Sequence, residues 1–168
     1  MKKTGLIYSF NAKKTAQAAK RIQEAFGREN IDLVNAENID EKKFLSYSNL
    51  ILGVPTWFDG ELPNYWDEFI PALEDLDLKG KTIAIFGNGD QKGYPENFVD
   101  GVGIMAEILK KCNAKIVGET SVDGYEFENS RAQRGNMFIG LALDFENQSK
   151  LNKERIVKWV EQLRKEFK

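Results

Sequence analysis

Five apolar runs constrain this chain more than any other feature: Thr4 to Tyr8, Ile31 to Asn35, Asn49 to Val54, Thr82 to Phe86 and Lys115 to Glu119. They are continuous rather than alternating, which suits parallel strands covered on both faces. Amphipathic patterns separate them. From Lys14, the residues Ala18, Ile22, Ala25 and Phe26 share one helical face, and Gly27 supplies a stop. Phe98 to Cys112 repeat the pattern through Val102, Met105, Ala106 and Leu109. A last helix, about Lys153 to Phe167, turns Ile156, Trp159, Val160 and Leu163 inward. Strand alternating with helix implies right-handed βαβ units and a doubly wound α/β sheet. One stretch breaks the rhythm: "SVDGYEFENSRAQRGN", polar and turn-rich, precedes a strand-like run from Phe138 to Leu143. A loop of that length inside a compact domain is often functional. No repeat or linker divides the chain, so one domain over 1–168 is expected.

Composition narrows what such a domain can do. Apolar residues make up 42% and charged residues 30%, an ordinary soluble balance. A net charge of −2 is too small to imply a nucleic-acid or membrane partner. The chain has no histidine, which removes the commonest metal ligand and the commonest general base. No metal site and no catalytic residue are expected. A single cysteine, Cys112, excludes an internal disulfide, fits a reducing cytoplasmic compartment and reads as a packing group after an apolar helix face. Met1-Lys2-Lys3 leads into too few apolar residues for a signal peptide or a membrane span.

In open α/β sheets, ligands bind beyond the carboxyl ends of the strands, near the switch in strand order. The stretches there are "SFNAKKT", "PTWFDGELP" and "GNGDQKGYPENF". The second carries Trp57, with Phe58 beside it and Gly60 beyond. The third carries Tyr94, close to Asn88, Gly89, Asp90 and Asn97. Two loops each bringing an aromatic ring to one edge suit a flat, conjugated ligand held between them; the plainer reading is two rings packed under loops. "GNGDQKG" is not a dinucleotide fingerprint, because the third glycine, Gly93, comes one residue too late and no helix opens at once. A phosphate-receiver domain would need acidic residues after the first and third strands, where Ser9-Phe10 and Pro55-Thr56 stand.

At these residues the chain resembles the flavodoxins, specifically the long-chain type. The likeness is carried by "PTW" at 55–57, "GEL" at 60–62, "GDQKGYPENF" at 89–98, "DGYEF" at 123–127, "FIGLALDFENQS" at 138–149 and "WVEQL" at 159–163. It covers essentially the whole chain, and several of its motifs lie in loops. The resemblance implies a five-stranded parallel sheet of order 2-1-3-4-5 with helices on both faces, and a fifth strand split by the 121–136 insertion. It also implies a non-covalently bound flavin mononucleotide (FMN) that makes the chain a low-potential carrier of electrons between redox proteins. Carried over by residue, Trp57 and Tyr94 would cover the two faces of the isoalloxazine ring. Backbone groups of Trp57, Phe58, Asp59 and Gly60 and of Gly89 and Asp90 would bond its polar edge. Thr56 would touch the phosphate–ribityl region, and Asn88 and Asn97 would lie near the ring or its approaches. The peptide that flips on reduction in this family joins Phe58 to Asp59 here, and Asp59 tolerates positive φ less well than glycine.

The family's phosphate loop reads Thr/Ser-x-Thr-Gly-x-Thr. This chain has Phe10-Asn11-Ala12-Lys13-Lys14-Thr15, so only Thr15 matches. Each lost hydroxyl bond to a charged oxygen costs roughly 1.5–3 kcal/mol, and two could weaken binding by about two to four decades. Three outcomes stay open: a cationic loop that keeps the phosphate, a loop that accepts a flavin without phosphate, or a site shifted to another ligand. Lysine in a first helical turn is unfavourable unless an anion sits there. The functional alternatives are correspondingly a flavin-dependent reductase of a small molecule and a binding module with a degraded phosphate site. Finally, Asp59, Glu61, Asp67, Glu68, Glu74, Asp75 and Asp77 follow one another with no Lys or Arg between. That run is either a solvated helix face or an acidic rim steering basic redox partners to a monomer.

Overall fold

Parallel pairing sets the frame of the computed structural model, which describes residues 3–168. The reading of the N-terminus drew on Met1 and Lys2, which lie outside the described residues. Strands β1 (Thr4–Tyr8), β2 (Ile31–Asn35), β3 (Asn49–Gly53), β4 (Thr82–Asn88) and β5 (Lys115–Val117) pair in the order β2-β1-β3-β4-β5. Leu6 lies level with Leu33 on one side and Ile51 on the other. Every residue of β1 and β3 is buried, as the continuous apolar runs require.

The side chains of each strand alternate between two layers. Leu6, Ile51 and Ala84 face α1 (Lys13–Phe26) and α5 (Ser149–Glu166), meeting Ala18, Ile22, Ile156 and Trp159. Ile7, Leu50, Leu52 and Ile85 face α3 (Asn64–Glu74) and α4 (Asp100–Lys111), meeting Trp66, Leu73, Val102 and Met105. A short helix, α2 (Glu41–Leu45), adds Phe44 to the second layer. The two buried tryptophans keep their indole N–H groups bonded: Trp66 donates to the Gly53 carbonyl at 3.1 Å, Trp159 to the Gly118 carbonyl at 2.8 Å. Cys112 is buried and its Sγ donates to the Leu73 carbonyl at 3.4 Å. Burial, then the charges of Glu74 and Asp77, push its thiol pKa up, so it is a packing group.

The expected fifth strand, to Glu119, stops at Val117, where Gly118 turns the chain with φ 88°. β4 runs on, and its last residues pair in parallel with β9 (Leu141–Leu143): Phe86 with Leu141, Asn88 with Leu143. One strand position is thus filled in two pieces, with the insertion between them. The insertion carries β6 (Thr120–Ser121), β7 (Gln133–Arg134) and β8 (Met137–Phe138) in a small antiparallel sheet of order β6-β8-β7. The strand-like run from Phe138 therefore belongs to two sheets. It changes hands at Gly140, where an added Cβ would meet the Ile85 carbonyl oxygen at 2.1 Å.

Two helix starts differ from expectation. α5 begins at Ser149, before Lys153, and brings buried Asn152 against the Asp144 backbone. α4 begins at Asp100, after Phe98, because Val99 takes the left-handed conformation at φ 47°. That backbone is costly for a β-branched residue, by about 1–3 kcal/mol. Val99 holds it while buried against Gly89. Val99→Ala relieves part of that strain, whereas Val102→Ala, at an equally buried position in the first turn of α4, relieves none. In urea unfolding Val99→Ala should cost about 1 kcal/mol less than Val102→Ala. Equal costs would mean that the strain is not stored at Val99.

Candidate functional site

The loop after β3 is a tight hairpin. Trp57 N–H donates to the Glu61 carbonyl at 2.7 Å, and Glu61 N–H donates back at 2.8 Å. Phe58, Asp59 and Gly60 close it, with positive φ at Phe58 (49°) and Gly60 (93°) but not at Asp59. In this conformation the left-handed non-glycine residue of the hairpin is Phe58. Gly60 is required on a second count, since a Cβ there would meet Asp100 Oδ2 at 2.6 Å.

The loop after β4 is folded by Asp90. Its carboxylate accepts from the N–H groups of Gly93 (2.8 Å) and Lys92 (3.2 Å) and from Asn147 Nδ2 (2.8 Å). The Gly93 N–H first, then the Asn147 amide, hold its pKa below the ordinary carboxylate value, with Lys14 adding a smaller push. A depressed folded-state pKa means that this support is present above the ordinary value and is lost as pH falls through the lower one. The Asp90 carbonyl accepts from Tyr94 N–H at 2.8 Å, which places the tyrosine. The two loops are tied together by Asn97, whose Nδ2 donates to the Asp59 carbonyl at 3.2 Å and to Asp100 Oδ2 at 3.3 Å.

Between them lies a cavity of about 500 Å³. Thr56, Trp57, Phe58, Asp59, Gly89, Asp90, Tyr94 and Asn97 line it, together with Phe98. Tyr94 is 59% exposed and Trp57 36%, with Phe58 beside it at 71%. Rings that merely packed under loops would be covered; these border an open slot of the size and character of a small-molecule site. Thr56 turns its hydroxyl oxygen to the Gly101 N–H at 2.9 Å, which locks the start of the hairpin to α4.

The remaining candidates form a second end. Gly60 and Asn88 do not line the cavity. Asn88 instead accepts a hydrogen bond from the Thr15 hydroxyl at 3.0 Å, so it joins the 10–15 loop rather than the ring slot. Thr15 is buried, and its one hydroxyl proton is already engaged. Phe10 is 48% exposed and packs on Tyr8, ring centroids 5.0 Å apart. Ala12 caps α1 without a side-chain bond, and the first turn holds no acid. Among the described residues, the amides of Lys13, Lys14 and Thr15 are thus the free donors of a fourteen-residue helix. Lys14 is paired with Glu146, and Lys13 is exposed and has no ion pair among the described residues.

Several residues that shape the site carried no local signal. Phe98, expected on a helix face, lies in the turn before α4, with its ring stacked on Phe127 of the insertion at 5.4 Å. Tyr65 meets Trp57 edge-on at 6.0 Å, and its hydroxyl is buried with no partner. Burial, then the charge of Glu37, raises its pKa well above the ordinary phenol value. Asp144 is fully buried, and its carboxylate accepts from Gln91 N–H and Nε2, Glu146 N–H, and Asn147 N–H and Nδ2. Gln91 passes the connection on, accepting from Glu126 N–H of the insertion at 2.5 Å.

The seven carboxylates from Asp59 to Asp77 are all exposed, and the ion pairs among the described residues use none of them. Among the described residues no group of three or more His, Cys, Asp or Glu side chains is arranged to hold a metal, and no helix is long and apolar enough to cross a membrane.

Comparison with known proteins agrees with this geometry. A sequence profile of one family, described as "Flavodoxin", matches residues 6–159. A flavodoxin of Nostoc sp. is 43% identical over 166 residues, covering 99% of this chain and 98% of its own. The crystal structure of Fusobacterium nucleatum flavodoxin bound to flavin mononucleotide superposes with a TM-score of 0.94 at 35% identity, over 100% of both chains. A K13G mutant of that flavodoxin, also bound to flavin mononucleotide, gives 0.94 at 34% identity, over 100% of this chain and 98% of its own. With the sheet order, the split strand position and the paired aromatic loops already in place, these matches make the chain a member of the flavodoxin family.

Proposed function

We propose that this protein is a single-domain (1–168), monomeric carrier that moves electrons between redox proteins at low potential on non-covalently bound FMN. The observation that carries the reading is the slot between Trp57 and Tyr94, set beside the uncapped N-terminus of α1. The residues fit the cofactor at both ends. Aromatic faces and a polar backbone edge suit an isoalloxazine ring, and free first-turn amides suit a phosphate. When bound, the flavin supplies the reversible uptake of electrons. The chain orients it, excludes water from its faces and sets the charge around it. Trp57 and Tyr94 would cover the ring, and backbone groups of 57–60 and 89–90 would bond its edge. Asn97 holds the two loops in register. No observation favours the reductase, and the free amides of α1 weigh against a degraded site.

The exposed acidic rim from Asp59 to Asp77 borders the hairpin of Trp57 and suits docking of a basic redox partner, with steering that salt would screen. A cytoplasmic setting is supported by the lone, buried Cys112.

The 10–15 loop is read as a cationic replacement for a hydroxyl loop. FMN should therefore bind ligand-free protein more tightly than riboflavin, in fluorescence-quenching titrations, and the advantage should shrink as salt rises. Lys13→Ala should reduce it by about two- to fivefold, the worth of an exposed charge pair. Equal affinity for the two flavins, indifferent to salt, would mean that the loop holds no phosphate.

A further inference from the structure

We infer that two carboxylates, Glu37 and Glu146, set the affinity of the 10–15 loop for a phosphorylated ligand by holding its side-chain donors until that ligand displaces them. The inference rests on the reading that this loop receives the phosphate of FMN. Outside the buried Thr15, the loop has three side chains able to donate: Asn11, Lys13 and Lys14. Two of them are held by acids from neighbouring turns. Asn11 Nδ2 donates to Glu37 Oε2 at 2.8 Å, from the helical turn Ala36–Asn38 that follows β2. Lys14 is paired with Glu146, in the turn between β9 and α5. An anion arriving at the start of α1 meets donors already engaged by charge of its own sign.

Both contacts can be released without unfolding anything. Lys14 and Glu146 are each about half exposed, at 46% and 49%. The turn that carries Glu146 is folded by Asp144, not by Lys14. The Glu37 contact is a single hydrogen bond between exposed side chains, so it can give way to an anion without disturbing the core. Lys13, which has no ion pair among the described residues, supplies the first attraction.

The test compares FMN with riboflavin in quenching titrations of ligand-free protein. Glu37→Gln and Glu146→Gln keep shape and remove charge. Each should raise FMN affinity about two- to fivefold, the worth of an exposed charge contact. Riboflavin affinity should stay unchanged. The two gains should multiply, since they free different donors. In a Lys14→Met background the gain from Glu146→Gln should fall, because the donor it frees is gone. FMN affinity unchanged or lowered in both glutamine variants, in a wild type that prefers FMN to riboflavin, would overturn this inference and leave the phosphate reading standing. A wild type that binds the two flavins equally would overturn the phosphate reading itself, and this inference with it.

Discussion

Tyr94→Ala should weaken FMN binding by roughly ten- to a hundredfold. The ring is 59% exposed and borders the slot, so a bound flavin would cover it from water. Stacking of two aromatic systems is worth about 0.5–1.5 kcal/mol beyond the area buried. The covered area adds about 25 cal/mol per Å². Together they come to about 1.5–3 kcal/mol, and 1.4 kcal/mol is one decade. Little is lost from the fold, because Tyr94 is positioned by its backbone N–H rather than by its ring. Tyr94→Phe keeps the stacking face and should bind almost as wild type. Trp57→Ala should show a comparable loss and, because the ring sits against the flavin in this assignment, a shift in reduction potential as well. Quenching titrations and spectroelectrochemistry read the two effects. Unchanged affinity and potential in both alanine variants would remove these rings from the site.

Asp144→Ala should be the most damaging single change outside the apolar core, at about 3–5 kcal/mol. The carboxylate is fully buried, and five N–H groups from the loop after β4 and from its own turn converge on it. Alanine leaves those donors unpaired. In a domain of this size the melting temperature should fall by about 10 °C, at roughly 2–4 °C per kcal/mol. FMN affinity should fall as well, because Gln91 and Asn147 brace the loop that carries Tyr94. Asp144→Asn keeps one accepting oxygen and should cost distinctly less. Calorimetry on ligand-free protein separates the stability effect from the binding effect. A loss under 1 kcal/mol in Asp144→Ala would show that water replaces the carboxylate at little cost.

The contrast between these two residues marks what the sequence could reveal. Trp57 and Tyr94 were legible because each sits in a short loop after an apolar run, among glycines and amides, where a parallel sheet puts its ligand. The parallel sheet was legible because the runs are continuous, and its order and the split strand because loop motifs resemble those of long-chain flavodoxins. Asp144 was not legible. It is one acid in an acid-containing loop, and its partner Gln91 is fifty-three positions away; no local pattern announces a bond of that span. Val99 was missed for the opposite reason. A β-branched residue is the last choice for a left-handed turn, so the start of α4 fell two residues later than the apolar pattern suggested. Helix α3 carries Trp66, Phe69 and Leu73 at helical spacing, but Asp67, Glu68 and Pro71 between them interrupt the apolar pattern. The hydrogen bond from the Thr15 hydroxyl to Asn88 joins the ends of β1 and β4, which β3 separates in the sheet, and it becomes visible only when those ends are brought together.

The central assignment, a flavin mononucleotide carrier, is tested most directly by what the protein retains. Purified protein is incubated with an equimolar mixture of FMN and riboflavin in excess, then desalted. The chromophore is released by heat, identified by mass spectrometry and counted against chains by absorbance. The flavin-carrier assignment predicts about one FMN per chain and little riboflavin, as expected for a preformed ring slot with a phosphate end. Retention of neither flavin, or of both in equal amounts, would contradict it.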